Sequence, residues 1–135
     1  MWTSSQFDQY LKKVRKASNG EFDIFETMIV PQLKKGCIAS ILATRDSVVQ
    51  NEPLLSHEVF GYDFMVDTSF NVWLIEVNSS PSMEYSSPIT ERMVKEVLPN
   101  LAEVVKEQEV WLTQKKDWDL GVGARIGKFE LIYNN

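Results

Sequence analysis

EVFGYDFMVDTSFNVWLIEVNSSPS, residues 58–82, is the stretch whose reading decides the fold. Its two halves, Glu58 to Val66 and Val72 to Asn78, are rich in β-branched and aromatic residues. Asp67-Thr68-Ser69, with Asn71, supplies turn chemistry between them, which predicts a β-hairpin. With Thr68 to Asn71 as a four-residue loop, Val66 pairs with Trp73 and Asp63 falls opposite Glu76. That register collects Phe60, Tyr62, Phe64, Val66, Trp73, Ile75 and Val77 on one apolar face. Asp63, Glu76 and Asn78 share the other face, together with Val59, Met65, Val72 and Leu74. A slip of one residue mixes the two sets, so burial selects this register.

The register brings two carboxylates face to face on neighbouring strands, about 4.5 to 5.5 Å apart at Cβ, where like charges repel. A divalent cation between them removes the repulsion. Magnesium suits the set, since it takes hard oxygen ligands, commonly one or two carboxylates, and completes its octahedron with water and phosphate oxygens. Asn78 adds a neutral amide oxygen. From spacing alone, a solvated sheet face that carries acidic residues by chance is the alternative.

The string GYDFMVD-TSFNVWLIEVNSSPS resembles the signature of the tubulin-tyrosine-ligase-like family, ATP-grasp enzymes that join an amino acid to a carboxylate of tubulin. In that family the aspartate of a G-x-D strand and the glutamate and asparagine of an E-[VI]-N strand end hold the magnesium of ATP. The matching positions here are Asp63, Glu76 and Asn78, followed by the Ser79-Ser80-Pro81-Ser82 loop.

Working outward, 135 residues suffice for one small domain with a core. A hydrophobic content of 44% against 24% charged residues excludes a disordered or low-complexity chain. The apolar runs are too short and too often interrupted to span a bilayer, and no signal-peptide core opens the sequence. A soluble, cytoplasmic protein is expected. The net charge of −5 is uneven, with seven basic and five acidic residues in 1–50 and seven basic and fourteen acidic in 51–135. That balance argues against nucleic acid as a partner. Lys12-Lys13-Val14-Arg15-Lys16 is the local exception. It reads as a solvated helix face, with contact to an acidic protein tail as the functional alternative. The single cysteine, Cys37, lies in an apolar helical pattern and reads as a reduced core thiol. His57 has no metal-ligand partner at a useful spacing, so a surface position is expected.

Phe7, Tyr10, Leu11 and Val14 recur at helical spacing, which predicts a helix over Thr3 to Ser18, capped from Thr3 to Ser5 and ended by Asn19-Gly20. A second helical stretch is predicted from Glu21 to Thr44, with Phe25, Met28, Ile29, Leu33, Cys37, Ile41 and Leu42 on its stripe and Pro31 kinking or dividing it. Asp46 to Ser56 reads as a loop. Ser87 as N-cap and Pro88 at the first position open a helix over 88–110, with Ile89, Met93, Val97, Leu101, Val104 and Val105 on one stripe and a kink at Pro99. Trp111 extends that stripe. The glycine-rich segment Gly121 to Gly127 lacks the preceding strand and following helix of a nucleotide loop. Lys128 to Tyr133 reads as a last strand. Its G-x-F-E-L-I-Y ending is similar to that of the tubulin glycylases, as is the opening MWTSSQFDQYLKK.

The fold class expected is α+β, a partial ATP-grasp domain: helical over 3–49, a metal-binding hairpin over 58–78, a helix over 88–110, which the resemblance implies packs on the metal-bearing sheet, and a strand over 128–133. The resemblance implies ATP-dependent ligation of glycine to glutamate side chains of tubulin through an acylphosphate. ATP and Mg2+ would be the cofactors, tubulin and microtubules the partners, and the cytoskeleton, cilium or axoneme the setting. The resemblance also implies an earlier subdomain, whose lysines and glycine-rich loop hold the adenine and phosphates and which nothing here supplies. The expected share of this chain is therefore the magnesium-binding part. A tubulin- or partner-binding remnant without turnover stays open, as does a tubulin glutamate or tyrosine ligase.

Overall fold

In the computed structural model, residues 2–16, 23–47, 57–114 and 121–134 are described. They divide into two compact units, one of residues 1–48 and 60–80, the other of 49–59 and 81–135.

The first unit begins with helix α1, Ser4–Lys16. Thr3 caps it reciprocally: the Gln6 amide donates to Thr3 Oγ1 at 3.1 Å, and Thr3 N donates to Gln6 Oε1 at 2.8 Å. This is the capping-box arrangement that satisfies two otherwise free N–H groups. The expected stop at Asn19-Gly20 lies outside the described residues. A π-helical turn over Phe25–Ile29 then runs into α2, Val30–Thr44. The π turn ends at Ile29, two residues before Pro31 in the first turn of α2. Proline has no N–H to give to the carbonyl four residues back, and the Val30 N–H bonds instead to Phe25 O, one residue further. Arg45–Ser47 closes α2 as a 3-10 turn, and residues 48–56 of the expected loop lie outside those described.

Leu11, Ile24 and Ile29 form the buried core of this unit, with Phe7, Phe25, Met28, Leu33, Val66, Phe70 and Val72 packed around them. Ile29 is 1% exposed, and burying its side chain stabilises the fold by about 1.5–3 kcal/mol. The expected stripe of α2 holds as far as Cys37. Ile41 and Leu42, at 48% and 42% exposure, are corrections: the far end of the helix is uncovered.

Strands β1, Gly61–Val66, and β2, Val72–Asn78, pair antiparallel as expected. The first strand starts at Gly61 rather than Glu58. The pairing runs Gly61 with Asn78, Tyr62 with Val77 and Asp63 with Glu76. A bulge then shifts it, so Phe64 faces Leu74, Met65 faces Trp73 and Val66 faces Val72. Ile75 is the extra residue of β2 and is 59% exposed. Several expectations are thereby corrected. Val66 does not pair with Trp73, and the connection is residues 67–71. Val72 and Leu74 join Tyr62, Phe64, Val66 and Val77 on the face toward α2. Trp73 joins Met65 on the face of Asp63, both 56% exposed, and Phe60 lies outside the strand, 41% exposed. The physical cause is the odd residue, which reverses the alternation of faces along β2 beyond it.

Helix α2 lies close against the Phe64 side because residue 36 is glycine: a Cβ there would stand 2.9 Å from Phe64 Cε1. Ser40 Oγ and the Tyr62 hydroxyl lie 3.1 Å apart on the same side.

The second unit is built on α3, Pro88–Gln114, which extends past the expected end at 110 and runs through Pro99. Ser87 caps it: Thr90 N donates to Ser87 Oγ at 3.1 Å and Ser87 N to Thr90 Oγ1 at 2.8 Å. Val94 is its buried residue at 8% exposure, whereas Met93, expected on the stripe, is 53% exposed. The side chain of Trp111 lies outside those described. The expected strand over 128–133 is corrected to the short β4, Phe129–Glu130, paired with β3, Arg125–Ile126. Gly127 turns between them at φ +55, and a Cβ there would stand 2.0 Å from Asn100 Oδ1. That oxygen accepts from Lys128 N at 2.7 Å, which ties the hairpin to α3. The glycine-rich segment therefore builds a turn and a strand.

Candidate metal centre

Alternation along β1 puts Gly61, Asp63 and Met65 on one face, and the pairing brings Glu76 and Asn78 of β2 onto it. The bulge follows the Asp63–Glu76 pair, so the expected juxtaposition of the three polar residues is preserved, although the register beyond it is not. Asp63 and Glu76 are exposed, and among the described residues neither side chain has an ion-pair or hydrogen-bond partner. Asn78 Oδ1 accepts from the Ser80 amide at 2.9 Å, which fixes the side-chain amide at the strand end. That oxygen retains a second lone pair.

The donor chemistry fits magnesium: two anionic oxygens and one neutral oxygen on a rigid strand pair, all hard ligands. No group of three or more His, Cys, Asp or Glu side chains able to hold a metal occurs among the described residues. A site here therefore has two carboxylates and draws its other ligands from an amide, water and substrate.

The turn beside this face is held by Asp67, which was read only as turn chemistry. Its Oδ1 accepts from the amides of Ser69 and Asn71 at 2.8 and 2.9 Å. Its Oδ2 accepts from Asn71 Nδ2 at 2.9 Å and Trp73 Nε1 at 3.2 Å. The bonds from the Asn71 side chain, the Asn71 amide and Trp73 lower the carboxyl pKa to about 2. Phe70 stands in this turn at φ +64.

Other candidates resolve as structure. Lys12 pairs with Asp8 at 2.7 Å and Asp23 at 3.3 Å, so that charge of the basic cluster is taken within the unit. The side chains of Arg15 and Lys16 lie outside those described. Burial raises the Cys37 thiol pKa, the opposite of activation. His57 is exposed and lies 2.5 Å from Gln108 Oε1. No helix among the described residues is long and apolar enough to cross a membrane.

The described helices and small antiparallel sheets make an α+β fragment of the ATP-grasp kind. The sequence matches the Tubulin-tyrosine ligase family over residues 1–115, and the chain belongs to that family. It is 38% identical over 133 residues to Tubulin glycylase 3C of Tetrahymena thermophila, which covers 98% of this chain and 12% of that protein. It is 31% identical over 133 residues to Protein monoglycylase TTLL8 of Mus musculus, covering 98% of the chain and 14% of the relative. Tubulin monoglycylase TTLL3 of Danio rerio gives 31% over 133 residues, with 98% and 15% covered. The chain thus spans a small fraction of the length of the relatives it matches.

Proposed function

We propose that this chain is the magnesium-holding part of an ATP-dependent ligase that joins glycine to glutamate side chains of tubulin. One observation carries the reading: Asp63 stands directly across from Glu76, with Asn78 on the same face. The names of the relatives support the choice of glycine and tubulin.

Asp63 and Glu76 would hold the ion through anionic oxygens, and Asn78 through its amide oxygen. When bound, magnesium offsets the charge of the phosphate oxygens during phosphoryl transfer. The chain's residues need supply no nucleophile. The tubulin carboxylate oxygen would attack the γ-phosphorus as its bond to ADP breaks, and the glycine amine would then attack the acylphosphate carbon, a C–N bond forming as the C–O bond to phosphate breaks and the amine giving up a proton to solvent. The work would lie on the cytoskeleton in the cytoplasm, at the cilium or axoneme.

The test is transfer of isotopically labelled glycine to tubulin with ATP and Mg2+, read by mass spectrometry, with Glu76→Ala beside the wild type. Labelled glutamate side chains, lost in Glu76→Ala, are the expected result. In parallel reactions given labelled glutamate or labelled tyrosine, transfer of either with none of glycine would redirect the chemistry within the family. That no group of three or more His, Cys, Asp or Glu side chains able to hold a metal occurs among the described residues favours a second reading, a tubulin-binding module without turnover. Co-sedimentation with microtubules that ignores magnesium, with no glycine transferred, would establish that reading instead.

A further inference from the structure

Gln32 is half-buried on α2, and its amide reaches the hairpin 38 and 40 residues away in sequence. Its Nε2 donates to Phe70 O at 3.0 Å and to Met28 O at 2.8 Å, while its Oε1 accepts from Val72 N at 3.1 Å. The partners dictate the orientation of the amide, since the two carbonyls only accept and the backbone N–H only donates. Asn71, between them, turns its carbonyl toward β1 by accepting from Asp67 N at 3.0 Å. Phe70 O and Val72 N–H therefore point away from β1. They are the acceptor and donor that a third strand would engage. Gln32 supplies that pairing from a helix and satisfies two backbone groups that would otherwise be left without protein partners in a part-buried site.

We infer that Gln32 is a positioning residue for β2: by holding Phe70 and Val72 against α2, it sets the phase in which the strand enters its bulge and hence the pairing of Glu76 with Asp63. The inference rests on the reading of Asp63, Glu76 and Asn78 as magnesium ligands. Val72-Trp73-Leu74-Ile75 is apolar at every position, so no alternation of faces holds that phase by itself.

The test compares the whole chain with Gln32→Leu and Gln32→Glu by amide exchange at Val72 and by calorimetric titration with MgCl2 and ATP. A protonated Glu accepts from Val72 N–H and supplies one of the amide's two donations, whereas an ionised Glu faces two carbonyls with no proton to give. The folded-state pKa of that Glu is therefore raised above about 4.3. Its clamp is present below that value and lost as pH rises through the raised one. Lys34 and Lys35 on α2 and Asp67 in the turn carry charge on the flanking elements in all three proteins, so they cancel against the wild type. In Gln32→Leu, Val72 protection and Mg·ATP affinity are each expected to fall about tenfold, the net worth of one or two hydrogen bonds. In Gln32→Glu both should weaken as pH rises, relative to the wild type at the same pH. Equal Val72 protection in all three proteins, or lost protection with unchanged Mg·ATP affinity, would overturn the inference. Should Gln32→Leu not fold, the pH series on Gln32→Glu decides. Absence of Mg·ATP binding by the wild type itself overturns the ligand reading, while Val72 exchange still decides whether the clamp exists.

Discussion

Removing one charge from the Asp63–Glu76 pair should stabilise the metal-free chain and abolish its response to magnesium. The two residues are directly opposed, so their Cβ atoms stand about 5 Å apart, and two charges at that separation repel by about 0.8 kcal/mol at the dielectric of water. At physiological ionic strength the screening length of about 8 Å roughly halves that figure. Asp63→Asn and Glu76→Gln should therefore each add about 0.4 kcal/mol in EDTA. The double variant should add little beyond either, because one neutral partner already ends the repulsion. Magnesium at about ten times its dissociation constant should stabilise the wild type by about 1.4 kcal/mol and leave each variant close to its EDTA value. Urea unfolding followed by circular dichroism, with all four proteins in EDTA and in excess MgCl2, reads both effects. Destabilisation of the single variants in EDTA, or additivity in the double variant, would refute the reasoning from like charges, whatever magnesium does.

Three further outcomes follow from the packing and the turns. Ile29→Ala, at a site 1% exposed, should lower stability by about 2–5 kcal/mol in the same unfolding assay. Gly127→Ala meets both a left-handed backbone and Asn100 Oδ1 at 2.0 Å, and should cost about 1–3 kcal/mol, with faster amide exchange at Lys128. Asp67 is held at a pKa of about 2 against 3.8, so its stabilisation is complete above the higher value and is lost as pH falls toward the lower. Asp67→Asn should be less stable at neutral pH, and the gap should close on acid titration from about pH 4 to 2.

Much of the hairpin was legible because its polar residues interrupt apolar runs at chemically specific places. The Asp63–Glu76 pair was reached because two departures cancel: the connection is one residue longer than expected, and the bulge at Ile75 takes up that residue before the pair. The bulge was not legible, since Val72 to Ile75 offers an apolar residue to either face and conceals an odd count. Ile24 escaped the helical stripe because the π turn over Phe25–Ile29 changes the angular phase that an ideal helix would give it. Arg125–Ile126 was hidden as a strand by its glycine neighbours, and its partner is only two residues long. The Gln32 clamp depends on a contact across 40 residues, for which local pattern carries no signal.

The central claim, that this hairpin face is a magnesium–nucleotide site, is tested most directly by calorimetric titration of Mg·ATP into the chain and into Asp63→Asn and Glu76→Gln. The account predicts saturable binding by the wild type, lost in both variants while they stay folded. Equal heats in all three folded proteins would contradict it.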